Sequence, residues 1–214
     1  MKAEHAIAAI EHRELRVSRI RELNDPFELM PGLVTHPSAP PDLVDRTLNF
    51  LVDAFNDDIG IICMAKAIAL TDPVIWSHYS DGHKGIALGF DQWVTDELFP
   101  MTYPKKRPTM NIEAISRMND RQGWEEMKNI LSAKAPSWEY ESECRFFVNL
   151  AGCRVSAGHY FTPIPDNYLK HVVPGIRCDI SVAYIKNSLK QSKFDDVTIS
   201  KARCSSSEFK VEFS

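Results

Sequence analysis

The apolar positions of this 214-residue chain alternate between two spacings, and each change of spacing marks an element. From position 3 to about position 12, Ala6, Ala9 and Ile10 recur at helical intervals and predict a short opening helix. Residues 15–18 read as a brief strand. Asn24-Asp25-Pro26-Phe27-Glu28 has the form of a helix start, with Asp25 as cap, Pro26 at the first helical position and Glu28 closing a capping box. After a proline-rich loop at 37–41, Leu43, Val44, Leu48, Leu51 and Ala54 restore helical spacing from Asp42 to about Phe55. Residues 61–65 form a candidate buried strand. Asp72-Pro73 opens a helix through Trp76 and Tyr79 that Asp81-Gly82 stops, and residues 85–90 form a strand bounded by turn residues.

The second half is more polar. Residues 104–137 predict two helices, near 112–118 and 123–133, before a Glu-rich strand that runs to about Asn149. Val172, Val173 and Ile176 mark a further strand, followed by a helix near 182–189. Residues 197–200 and 209–213 close the chain as two strands expected to pair with each other. Helices and strands mix without strict alternation, and no Gly-rich turn joins a strand to a helix. The expectation is therefore one α+β domain over residues 1–214, with a mixed or mainly antiparallel sheet and flanking helices.

Composition narrows the possible functions. Hydrophobic residues make up 44%, enough for a core. The 25 basic and 29 acidic residues leave a net charge of −4, which argues against a dedicated nucleic-acid surface. Lys105-Lys106-Arg107 is the one basic triplet and reads as a solvated loop. The five cysteines are an odd number without a Cys-x-x-Cys pair, which suits a reducing cytoplasm. No leader pattern and no apolar stretch of about 18 residues is present, so a soluble cytoplasmic protein is expected.

The chemistry concentrates in Trp138-Glu139-Tyr140-Glu141-Ser142-Glu143-Cys144-Arg145. In an extended strand, Glu141, Glu143 and Arg145 would share one face and Tyr140, Ser142 and Cys144 the other. Two carboxylates so close repel unless a cation relieves them, and Arg145 is the evident candidate. Such a group can hold a sugar hydroxyl or a developing positive charge. A solvated edge strand with an ion-pair ladder explains the same residues.

Three blocks carry a family resemblance: Leu23 to Glu28; Trp76-Ser77-His78-Tyr79 with Lys84 to Asp91; and Trp138-x-Tyr140-Glu141-x-Glu143-x-Arg145. In this order they resemble the bacterial family of unknown function numbered 2971. The layout is similar, more distantly, to the ADP-ribosyltransferase fold, whose late strand opens with Glu-x-Glu or Gln-x-Glu. The resemblance implies an NAD-binding protein that transfers ADP-ribose to an unknown acceptor, as a toxin or in phage defence. NAD would be a substrate, and a nucleotide-like small molecule the partner. Glu143 would stabilise the oxocarbenium-like sugar, Glu141 would orient the acceptor, and Arg145 would neutralise the pair or contact a phosphate. Trp76 and Tyr79, three apart on one helix, would sandwich a flat ring. Lys84 would hold a phosphate where Gly85 allows close approach, and Asn24 and Ser18 would face the same cleft. Core packing, turn formation and capping are the plainer roles for these residues, and His78 reads as a surface histidine. The chain departs from the family in lacking an opening strand with a Tyr-His-Tyr-like stretch. That departure keeps open a non-catalytic binding module with a degenerate cleft. A second alternative is a metal-assisted hydrolase or nuclease, with Glu141, Glu143, Asp25 and Glu28 as Mg²⁺ ligands.

Overall fold

The computed structural model describes residues 1–28, 30–35, 40–91, 98–111 and 120–214. They form two compact units, the first made of Met1–Arg16, Ala65–Leu98 and Arg154–Ser214, the second of Val17–Met64 and Phe99–Cys153. The class is α+β, with mainly antiparallel open sheets.

In the first unit, α1 (Ala3–His12) buries Ala6, Ile7, Ala9 and Ile10, the face its spacing predicts. Arg13 ends it in the left-handed conformation (φ 56°). The helix packs on α5 (Val182–Gln191), whose cap Ser181 accepts from the amide of Tyr184. α3 (Pro73–Tyr79) starts as its sequence predicts, with the Asp72 carboxylate accepting from the Val74 amide at 2.8 Å. β10 (Leu169–Pro174) pairs antiparallel with β4 (Ile86–Phe90) and parallel with β11 (Thr198–Ile199). The hairpin of β8 (Arg154–Ser156) and β9 (His159–Pro163) turns through Ala157 and Gly158, both at positive φ as a two-residue hairpin requires. The closing strands do not pair with each other as expected. β13 (Val211–Phe213) pairs with β12 (Ala202–Cys204), while β11 lies against β10. Trp76, Val173, Ala202 and Val211 form a core cluster here.

In the second unit, β1 (Glu14–Arg19), which begins in the first, pairs antiparallel with β3 (Ile59–Ala65), Ser18 opposite Ile61. The strand order continues from β3 to β7 (Glu143–Asn149) and β5 (Phe99–Pro100). Ile20, Ile61, Met110, Ile130 and Leu131 make the core, covered by Leu51, Val52 and Phe55 of α2 (Leu43–Asp58) and Met127 of α4 (Asp120–Leu131). A separate parallel pair joins β2 (Gly32–Val34) to β6 (Thr109–Asn111). The helix expected near 112–118 lies outside the described residues, as does most of the proline-rich loop.

The helix expected to start at Asp25 is a turn. Asp25 accepts from the Phe27 amide at 2.9 Å and its carbonyl from the Glu28 amide at 3.1 Å, and the chain then leaves for β2. The aspartate makes the local bond that a cap would make, but no helix propagates from it. Among the described residues, no helix is long and apolar enough to cross a membrane.

Candidate functional site

The strand carrying the acidic motif starts later than alternation suggests. Pro136–Glu141 form a 3-10 helix, and Ser142 reverses the chain in the left-handed region (φ 43°). β7 therefore opens at Glu143, and Glu141 sits on the turn before it. Glu143 and Arg145 share a strand face as expected. Glu141 reaches the same point by a different route.

Lys134 makes that convergence. Its Nζ lies 2.6 Å from Glu141 Oε2 and 2.7 Å from Glu143 Oε2. The other oxygen of Glu143, Oε1, accepts from Arg145 Nε at 2.5 Å. Arg145 then spans to Glu28 through Nη1–Oε2 at 2.7 Å and Nη2–Oε1 at 2.6 Å, and Nη1 also donates to the Leu131 carbonyl at the end of α4. All five side chains are buried, Arg145 with only 1% of its surface exposed. Buried charges persist only when paired and hydrogen-bonded, and here two cations alternate with three carboxylates.

Backbone links hold the cluster in place. The Thr102 amide donates to the Ser132 carbonyl at 2.7 Å and the Lys134 amide to the Thr102 carbonyl at 2.9 Å, so the segment after α4 runs beside the residues that follow β5. The Glu143 amide donates to the Tyr103 hydroxyl at 2.9 Å, and its carbonyl accepts from Met101. Trp138 lies over Lys134, 4.7 Å from Nζ to the ring centre, and stacks with Tyr140 at 6.2 Å.

Burial alone would raise the Glu143 carboxyl, but hydrogen bonds and charge from Arg145 and Lys134 outweigh it and hold it below the ordinary range. Burial would likewise lower Lys134, and the two glutamates more than reverse that. The Cys63 thiol of β3 lies near Glu143. Its side chain reaches solvent although protein surrounds it densely, and that crowding, followed by the Glu143 charge, pushes the thiol well up.

Of the residues nominated from sequence, Glu141, Glu143 and Arg145 meet in this cluster. Ser18 is half-buried on β1 and Asn24 is exposed, both in the second unit. Trp76, Tyr79 and Lys84 belong to the first unit. Trp76 is 1% exposed, with Nε1 donating to the Leu70 carbonyl, whereas Tyr79 is 40% exposed, so the pair does not present one common face. Lys84 is exposed. A Cβ on Gly85 would lie 2.0 Å from the Met1 carbonyl oxygen and 2.9 Å from Ser80 Cα, so the chain's own backbone makes the close approach there. Sequence reasoning missed Lys134, Tyr103 and Cys63, and read Glu28 as a cap or, in the metal-assisted alternative, as a ligand. The one local signal for Lys134 is its setting among Ala133, Ala135 and Pro136, where a solvated lysine would have polar neighbours.

As a divalent-metal site the cluster fits poorly, because both Glu143 oxygens and both Glu28 oxygens already face cations that a metal would have to displace. Among the described residues, no group of three or more His, Cys, Asp or Glu is arranged to hold a metal.

Residues 75–146 match the family model described as "Protein of unknown function (DUF2971)". The match takes in Trp76 and the acidic motif through Arg145, and leaves out the block at Leu23 to Glu28. No curated protein and no solved structure matches the chain.

Proposed function

We propose that the chain binds NAD through its second unit and transfers ADP-ribose, with Glu143 at the ribose and Glu141 toward the acceptor. The supporting observation is the convergence of Glu141 and Glu143 on the single ammonium of Lys134. A carboxylate held in a buried, polar setting favours the cationic, oxocarbenium-like sugar that forms as nicotinamide leaves. In this reading the ribose hydroxyl takes over one of the Lys134 contacts to Glu143. The half-buried Trp138–Tyr140 stack beside Lys134 offers a platform for a flat ring.

A second reading is a binding module without catalysis, favoured by the engagement of both Glu143 oxygens with buried cations. Calorimetric titration with NAD, for the parent and for Glu143→Gln, combined with chromatography of released nicotinamide, separates the two. Binding with Glu143-dependent nicotinamide release supports transfer. Binding without release selects the module, and no heat from the parent removes NAD from both.

A further inference from the structure

We infer that the loop Lys105-Lys106-Arg107, together with Phe27, forms a subsite for the phosphates and base of a nucleotide diphosphate. The inference rests on the NAD reading above and names where that ligand's anionic half would lie.

The parallel pairing of β2 with β6 sets Gly32 opposite Thr109, and the Gly32 amide donates to the Pro108 carbonyl at 2.8 Å. Parallel strands place their preceding segments at the same end of the pair. Residues 25–28 and 103–108 are those segments. Each is rooted in the buried ionic cluster, the first through Glu28 on Arg145 and the second through the Tyr103 hydroxyl on the Glu143 amide.

Beyond those anchors each segment shows solvent something unusual. Phe27, next to the buried Glu28, is 59% exposed, and the Arg107 guanidinium lies 5.9 Å from its ring centre. Lys105, Lys106 and Arg107 are all exposed, and none has a carboxylate partner among the described residues. Three adjacent cations repel one another, and an anion with several oxygens relieves that repulsion while accepting several hydrogen bonds. A flat base on the Phe27 ring, with phosphates on the triplet, matches one aromatic face and three positive charges. The chain's net charge of −4 makes a local run of three cations without carboxylate partners among the described residues more telling than it would be in a basic protein.

The test uses ADP, adenosine and NAD as calorimetric probes of the full chain at low and moderate salt. It compares the parent with Phe27→Ala and with Lys105→Ala/Lys106→Ala/Arg107→Ala. These side chains are exposed, and thermal melts confirm that the variants fold. For the parent, ADP is expected to bind more weakly as salt rises. The triple variant should lose about tenfold in ADP affinity, with adenosine unaffected. Phe27→Ala should weaken ADP and adenosine alike. Equal ADP and NAD affinity in the triple variant and the parent overturns the subsite and leaves the NAD reading standing. Triplet-dependent ADP binding without NAD binding supports the subsite and removes the NAD reading. No ADP binding by the parent overturns the subsite.

Discussion

Glu28 and Arg145, 117 positions apart, meet in a two-bond carboxylate–guanidinium pair with N–O distances of 2.7 and 2.6 Å. This is the longest reach in the cluster, and it ties the turn before β2 to the strand that carries the acidic motif. Among the described residues, Arg145 is the only group that contacts both Glu28 and Glu143 through short bonds, so its removal leaves Glu28 without its short ion pair and Glu143 with Lys134 alone.

Replacing Arg145 with Met is therefore expected to destabilise the protein by about 3–5 kcal/mol, the usual cost of leaving a buried charge without its partner. Glu28→Gln together with Arg145→Met should recover part of that loss, because one stranded charge is gone. Urea unfolding of the three proteins measures both effects. A loss below about 1 kcal/mol for Arg145→Met would show that the pair behaves as a solvated one.

The cluster also fixes a pH window. Glu143 is held below its ordinary 4.5, so its stabilisation is complete above that pH and is lost as pH falls through the folded value. Lys134 is held above its ordinary 10.5, so its stabilisation is complete below that pH and is lost as pH rises through the folded value. Melting temperature should then be level, for these two groups, between those limits. Glu143→Gln should flatten the acid limb and Lys134→Met the alkaline limb. An acid limb identical in the parent and Glu143→Gln would assign acid unfolding to other carboxylates.

Glycines in the two units should respond differently to substitution. A Cβ on Gly60 would lie 2.1 Å from Val17 Cγ1 and 2.6 Å from Leu150 Cδ2, so Gly60→Ala forces core side chains apart at about 1–3 kcal/mol. Gly82 has φ +59° and nothing within 4 Å of a built Cβ, so Gly82→Ala pays only for the left-handed backbone, roughly 1–2 kcal/mol. Gly82→Asn should fall close to the parent because asparagine tolerates that conformation. Thermal melts of Gly60→Ala, Gly82→Ala and Gly82→Asn distinguish crowding from backbone strain.

The sequence made legible what depends on near neighbours. α1, α3 and α5 lie where apolar spacing and the Asp72 cap placed them, and β7 runs to Asn149 as expected. Elements defined by distant partners were not visible. β5 and β6 are two and three residues long, too short to show a period of two, and exist because β7 and β2 complete them. The same limit applies to the site. Glu143 and Arg145 were readable as neighbours on one strand, but Glu28 and Lys134 join them only after β2, α4 and β7 have assembled. Asp25 misled because a turn and a helix cap use the same side-chain bond, and only the residues that follow decide between them.

Trp76 gives a direct test of packing against ligand stacking. With 1% exposure, a hydrogen bond to the Leu70 carbonyl and a tilted contact with Phe213 at 6.4 Å, it fills the first unit's core. Trp76→Ala should cost about 3–5 kcal/mol. Trp76→Phe should cost less, chiefly for the carbonyl left without its donor. A Trp76→Ala protein that melts like the parent would contradict the core assignment and return the ring to a binding role.

Cys63 reports on the electrostatics of Glu143 without requiring a ligand. The thiolate is the reactive form, and its population falls about tenfold for each unit the thiol is raised. Cys63 and Cys204 are both exposed, and at Cys63 crowding by the protein and the Glu143 charge raise the thiol. Alkylation by iodoacetamide near pH 8, followed by mass spectrometry, should therefore modify Cys63 at least about tenfold more slowly than Cys204. Glu143→Gln removes the neighbouring negative charge, so thiolate forms more readily and Cys63 should react faster while Cys204 keeps its rate. Faster reaction at both positions would indicate general loosening of the chain. An unchanged Cys63 rate in a folded Glu143→Gln protein would mean that the carboxylate does not act on the thiol.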